Sequence, residues 1–162
     1  MTVLAWDGKT LAADRLACAG HLKATVTKIL RFEKELLGIC GNLATGKELK
    51  KWYLNGAETD NFPAAALEDG DTELVVIKEN GRVWVYAASA VPFEIEDEVC
   101  AFGAGGEAAW AAMLCGATSE QAVLVASQVN ITCGNGMDIL PLIEKEKKKK
   151  KKKKKGTKGA VH

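Results

Sequence analysis

The segment TELVVIKENGRVWVYAAS, residues 72–89, restricts the fold more than any other part of the chain. Two runs rich in β-branched and aromatic residues flank Asn80-Gly81, and that dipeptide between such runs marks a β-hairpin. A chain containing it must build an antiparallel sheet and must also supply something to cover it. The other segments provide both. TVLAWDG and TLAADRLA are short, mostly apolar runs joined at Gly8-Lys9 and read as a second hairpin. KATVTKILRF alternates as a strand does, and ELLGICG reads as a buried strand. LATGKELKKWYLNG places Leu43, Leu49, Trp52 and Tyr53 on one side, with Gly56 as a C-terminal stop, and reads as a helix. VCAFGAG is a strand that leads at Gly105-Gly106 into the helix EAAWAAMLCG. Thr118 and Gln121 form the capping-box pattern of a further helix, EQAVLVASQVN, and CGNGMDILPLI closes as a strand. The sheets need helices on their outer faces, which predicts an α+β fold. With 162 residues, 48% of them hydrophobic, the chain can bury one core.

The C-terminus is different. From Glu144 the chain reads EKEKKKKKKKKKGTKGAVH, which lacks apolar periodicity and cannot repay the entropy of ordering. Residues 2–143 are expected to form the folded domain and 144–162 a disordered lysine-rich tail. The tail holds 11 of the 22 Lys and Arg residues and 2 of the 21 acidic ones, leaving 11 basic against 19 acidic residues, a net −8, elsewhere. A lysine run binds nucleic acid or an anionic surface without sequence preference. A solvated tail with no partner is the simpler reading.

Five cysteines, Cys18, Cys40, Cys100, Cys115 and Cys133, are odd in number and form no C-x-x-C pair, which argues for a reducing compartment rather than a disulfide framework. With only His21 and His162 beside them, a Cys/His metal site is not expected, nor is any cofactor. The apolar opening MTVLAW is cut short by Asp7, and no run approaches the ~20 apolar residues of a membrane helix, so the expected location is cytoplasmic.

GNLATGKELKKW, Gly41 to Trp52, comes within one residue of a phosphate-binding P-loop. Gly41, Gly46 and Lys47 fit that motif, but Glu48 stands where it needs the hydroxyl that holds Mg²⁺, and a carboxylate there would repel phosphate. The alternative is a strand running into a helix, with Gly41 serving other chemistry.

Thr2 offers such chemistry. Met before a small residue is normally removed, which would make Thr2 the mature N-terminus. A terminal threonine carries its own base, because an α-amine with an unperturbed pKa near ~7.7–8.0 can accept the hydroxyl proton at neutral pH. The series TVLAWDGKTLAADR, TVTKI, LLGICGNLA and AFGAGGEAA, in that order and spacing, resembles the β-type subunits of the proteasome and the HslV peptidase, the N-terminal nucleophile hydrolases. It is most similar to their compact bacterial and phage versions. The resemblance covers residues 2 to about 141 and implies a four-layer αββα sandwich.

The resemblance also implies roles. Thr2 would be the nucleophile and, through its amine, the proton acceptor. Lys28 would favour the alkoxide and keep the amine neutral, Asp14 would pair with Lys28, and the Gly41 N–H would point at the developing oxyanion. On this reading glycine is required at position 41 because the backbone must approach the substrate closely. Ala17, Val26, Ile39 and Leu43 correspond to the lining of the pocket for the side chain on the acyl side of the scissile bond. All four are small or aliphatic and predict a weak apolar preference. Cys18 stands where the family usually carries a Thr or Ser that bonds the substrate backbone. Two further departures thin the support of the amine: Ala104 replaces the serine of a G-S-G turn, and Asn130 and Cys133 replace an Asp and a Ser.

Three functions remain open at this point: a threonine-type endopeptidase acting on unfolded or peptide substrates inside a homo-oligomeric double ring, a catalytically silent ring-forming scaffold, and an anion- or nucleic-acid-binding module working through the tail. The family implies six or seven subunits per ring and a possible ring ATPase unfoldase as partner.

Overall fold

Alternation along the first hairpin decides the layering. Strands β1 (Leu4–Trp6) and β2 (Thr10–Asp14) pair Leu4 with Ala13 and Trp6 with Leu11. Leu4, Trp6, Leu11 and Ala13 point to one side, Val3, Ala5 and Ala12 to the other, and all are buried. A sheet buried on both faces is an inner layer. The computed structural model, which describes residues 1–144, accordingly stacks two sheets between two pairs of helices.

The first sheet has the order β10-β1-β2-β11, with β10 at Cys100–Phe102 and β11 at Met137–Pro141, and all its neighbours are antiparallel. The second contains β5 (Ile29–Phe32), β6 (Glu35–Cys40), β7 (Glu73–Ile77), β8 (Val83–Tyr86) and β9 (Phe93–Ile95) in chain order, again antiparallel. Between the sheets Leu4, Trp6 and Leu11 meet Ile29, Leu36, Val75, Ile77 and Val83. Each such side chain contributes about 1.5–3 kcal/mol by leaving water.

Helices α3 (Gly106–Leu114) and α4 (Ser119–Val129) cover the first sheet, setting Ala109, Met113, Ala122, Val123 and Ala126 against Val3, Ala5 and Ala12. Met113 thus belongs to the protein's own core, whereas Trp110 on the same helix faces outward. Helices α1 (Leu43–Leu54) and α2 (Ala64–Asp69) cover the second sheet through Leu49, Trp52, Tyr53 and Ala66 on Leu37, Ile39, Leu74 and Val76. The capping box at Thr118 and Gln121 forms as the pattern predicts.

Several expected elements are divided or shifted. KATVTKILRF is not one strand: it splits into β4 (Leu22–Thr25) and β5, with a break at 26–28 that carries Lys28 into the interior. TLAADRLA likewise divides after Asp14, and β3 (Leu16–Ala19) pairs with β4 as a separate, largely exposed hairpin. The turn after β7 is centred one residue earlier than Asn80-Gly81. Gly81 N–H donates to Lys78 O at 2.8 Å, and Gly81, at φ +83°, takes the left-handed position that follows such a turn. α2 and β9 had no counterpart in the sequence reading. The tail beyond Glu144 lies outside the described residues, and among those no helix is long and apolar enough to cross a membrane.

Candidate active site

The break before β5 matters because of what it brings together. Asp14 ends β2 with no exposed surface, Lys28 is 1% exposed, and Lys28 Nζ lies 2.7 Å from Asp14 Oδ1. A buried ion pair is tolerated when its remaining lone pairs and protons are also satisfied. Here they are. Asp14 Oδ1 accepts in addition from Val3 N–H at 2.9 Å, and Oδ2 accepts from Leu16 N–H at 3.2 Å and Gly134 N–H at 3.0 Å. Lys28 Nζ also donates to Met1 O at 3.0 Å.

The cation therefore sits against the carbonyl that precedes Thr2. Thr2 is 1% exposed, behind a Met1 that is 64% exposed. Its own carbonyl accepts from Gly105 N–H at 3.1 Å, at the start of α3. Thr2, Asp14 and Lys28, spread over the first 28 residues, converge at one end of the sandwich.

Gly41 lies between β6 and α1, at φ +92°. A Cβ there would stand 2.7 Å from Thr72 Cα and Oγ1 and 2.8 Å from Asp71 O. The physical demand for glycine is thus a left-handed turn laid flat on the 71–72 backbone, which corrects the expectation that approach of a substrate alone requires it. Among the described residues the Gly41 N–H has no hydrogen-bond acceptor. Gly41 lines a cleft of about 280 Å³ together with Met1, Ala17, Cys18, Asn42 and Leu43. Gly46, the second glycine of the near-P-loop, lies inside α1, where a Cβ would come within 2.0 Å of Ile39 Cγ2. It serves to seat the helix on β6, and Lys47 is a solvated helix residue.

Of the pocket-lining expectations, Ala17, Cys18 and Leu43 line this cleft. Val26 is half-buried in the break before β5, its N–H bonded to Arg15 O at 2.8 Å. Ile39 points away from the cleft into the core beneath α1.

Of the departures around the amine, Ala104 and Asn130 bond to each other, and Cys133 lies near the charge pair. Asn130, at the end of α4, donates from Nδ2 to Ala104 O at 2.8 Å and accepts on Oδ1 from Thr132 N–H at 3.0 Å and Thr132 Oγ1 at 2.6 Å. Its amide is spent on the turn before α3 and on its own loop. Cys133 is 5% exposed; burial pushes its thiol up first, and the negative charge of Asp14 adds to this. Cys40, adjoining Gly41, has its thiol raised well above the usual value by burial and then by Glu73. Neither thiol is poised as a nucleophile.

Two contributors were not foreseen from sequence. Gly134 N–H supports Asp14 from 120 residues away, in a G-N-G cluster whose turn chemistry is visible but whose target is not. Thr72 holds the Gly41–Asn42 turn, and nothing local marks it out.

Solved structures share the fold, among them the following three. A Thiobacillus denitrificans protein, BPH, in complex with epoxomicin matches with a TM-score of 0.66 at 17% identity, over 89% of this chain and 100% of that one. A eukaryotic HslV from Trypanosoma brucei matches with a TM-score of 0.63 at 19% identity, over 86% of this chain and 97% of its own. A second structure of Thiobacillus denitrificans BPH gives a TM-score of 0.62 at 17% identity, over 90% of this chain and 100% of that one. No protein-family model and no curated protein matches the sequence. The fold is an αββα sandwich, shared with the HslV and BPH structures.

Proposed function

We propose that this protein is a threonine-type peptidase whose nucleophile is Thr2 once Met1 has been removed. One observation carries the reading: a buried Asp14–Lys28 pair places its ammonium 3.0 Å from the Met1 carbonyl, at the junction that would become the N-terminus. A buried ion pair is a poor source of stability, so its presence here supports a use for the charge.

The reaction follows from the groups present. Thr2 Oγ attacks the carbonyl carbon of a peptide bond while its proton passes to the freed Thr2 amine. Lys28 stabilises the alkoxide, and the Gly41 N–H receives the charge that develops on the carbonyl oxygen. The amine then protonates the leaving nitrogen, the C–N bond breaks, and an ester on Thr2 remains. Water, deprotonated by the same amine, hydrolyses it. The cleft beside Gly41 is lined by Ala17, Leu43 and Cys18, which supports a weak preference for apolar side chains on the acyl side of the bond.

The assembly proposed with this activity is a homo-oligomeric double ring of six or seven subunits per ring, acting in the cytoplasm on unfolded or peptide substrates delivered by a ring ATPase. Exposed Trp110 and Leu114 on α3 and Leu124 and Val129 on α4 support burial of that face against another copy. A second reading, a catalytically silent ring scaffold, is favoured by the Asn130 side chain being bonded to Ala104 and Thr132.

Intact mass before and after incubation with a peptide epoxyketone tests the proposal, because that reagent needs both the hydroxyl and the free amine of a terminal threonine. Loss of Met1 with one adduct per chain is expected, and none for Thr2→Ala. Full peptide hydrolysis by Thr2→Ala would overturn the mechanism, and a processed chain with no adduct would support the scaffold.

A further inference from the structure

We propose that Thr72, oriented by Asp69, is a positioning residue that fixes the backbone at Gly41 so that its N–H faces the cleft. The proposal deepens the peptidase reading, since its effect on rate depends on Gly41 serving as oxyanion donor.

The geometry is that of a strap. Gly41 joins two peptide planes. The plane before it leaves β6, where Cys40 is paired with Glu73. The plane after it ends in the Asn42 N–H, which donates to Thr72 Oγ1 at 2.8 Å. Thr72 is 1% exposed, so no water competes for that acceptor. A threonine hydroxyl has one proton and rotates to suit its partners. Here the proton goes to Asp69 Oδ2 at 2.7 Å, which turns the oxygen's lone pairs toward Asn42.

Asp69 is the last residue of α2, so the strap runs from that helix through Thr72 to Asn42. Asn42 continues it, because its Oδ1 caps α1 by accepting from Ala44 N–H at 2.8 Å and Thr45 N–H at 3.3 Å. The strap is needed where it lies. The Gly41 N–H lies in the first plane; β6 anchors that plane at Cys40 and the strap anchors the second, and together they hold a residue at φ +92° whose own sterics leave more wells open than any other. Nothing else among the described residues bonds the Asn42 N–H.

Thr72→Val keeps the shape and removes the hydroxyl, and Thr72→Ser keeps the hydroxyl. The test compares both with the unaltered protein by peptide hydrolysis and by hydrogen exchange on the peptic fragment containing Gly41 and Asn42. A misplaced donor costs rate and not substrate binding, so Thr72→Val is expected to lower kcat by roughly 10- to 100-fold with KM within about 3-fold. Thr72→Ser is expected to restore kcat to within about 3-fold, as a retained hydroxyl requires. Exchange at the Gly41–Asn42 fragment should quicken in Thr72→Val and not in Thr72→Ser. Should Thr72→Val fail to fold, Asp69→Ala, at a half-buried position, leaves the hydroxyl free to rotate and should shift kcat and exchange in the same direction by less. Unchanged exchange and kcat in Thr72→Val, or equal loss in Thr72→Ser, would overturn the proposal. If the unaltered protein neither hydrolyses peptides nor takes an epoxyketone, the peptidase reading falls by itself. The exchange comparison then still decides whether Thr72 fixes the Gly41 backbone.

Discussion

The Asp14–Lys28 pair permits a prediction in which direction and order both follow from hydrogen-bond accounting. Lys28→Met removes the cation and leaves a carboxylate with no exposed surface. That carboxylate keeps three backbone donors, from Val3, Leu16 and Gly134. Breaking a buried pair costs about 3–5 kcal/mol, and the retained donors put Lys28→Met near the lower end, at about 3 kcal/mol. Asp14→Asn is worse. An amide offers one acceptor oxygen, so its NH₂ must face either Val3 N–H and Lys28 or Leu16 N–H and Gly134 N–H. Two buried donors lose their acceptor, at about 1–3 kcal/mol each, and the Lys28 charge loses its partner, so a cost of about 5 kcal/mol is expected. Against a typical total of roughly 5–15 kcal/mol the gap between the two variants is measurable. Urea unfolding at pH 7 and one fixed protein concentration gives both values. Losses under about 1 kcal/mol in both variants, or a Lys28→Met variant less stable than Asp14→Asn, would refute the reasoning for a desolvated, fully donated pair.

Two further outcomes follow. Cys18 and Cys115 are exposed while Cys40, Cys100 and Cys133 are buried, and burial pushes the Cys100 thiol up to about 12. Alkylation of the native protein near pH 8 should therefore stop at two adducts by mass and reach five only after denaturation. Burial raises the Asp7 carboxyl, but the backbone N–H groups of Ser119, Thr10 and Lys9 outweigh it and leave the group below its usual value. A depressed carboxylate stabilises the fold above its unfolded pKa of about 3.9 and loses that contribution as pH falls through the folded value. Asp7→Asn should thus lower stability by about 1–2 kcal/mol at pH 7 and flatten the dependence of Tm on pH below about 4, read by thermal melts across pH.

The strands and helices that were legible in the sequence carry their signal locally. The capping box at Thr118 and Gln121 is four residues long and forms as written. The alternation of Leu4, Ala5 and Trp6 states that two faces need cover. Lys28 shows the limit. Within KATVTKILRF it shares its phase with Ala24, Val26 and Leu30, so the alternation carries a charge on its apolar side, but nothing local names the distant Asp14 that pairs with it or the break at 26–28. α2 escaped because a six-residue helix beginning after Pro63, without a side-chain cap, has too few turns to show a period. β9 escaped because FEI sits on an exposed edge inside an acidic run. The meeting of Asp14 and Lys28 beside the Met1–Thr2 junction was expected only through the resemblance that the order and spacing of those segments carry. Gly134 and Thr72 were not, since each acts through a backbone amide or a single hydroxyl that no residue pattern encodes. The direction of Ile39 was readable in principle, because period two puts it with Leu37 on the helix-facing side of β6.

Asp14 also sets an order of events during synthesis. Its carboxylate draws hydrogen bonds from residues 2, 11, 14 and 120 positions away. The first three partners leave the ribosome together, whereas Gly134, 120 positions after Asp14, and the β11 strand that follows it arrive much later. Pairings of such long sequence separation form slowly, because the loop between them must close before the contacts repay it. A chain still being made carries Thr2, Asp14 and Lys28 but lacks the strand that flanks β2 and the amide that completes the carboxylate's shell. The shell of the carboxylate is thus completed last, and a half-finished chain holds the Asp14–Lys28 pair without the amide that closes it.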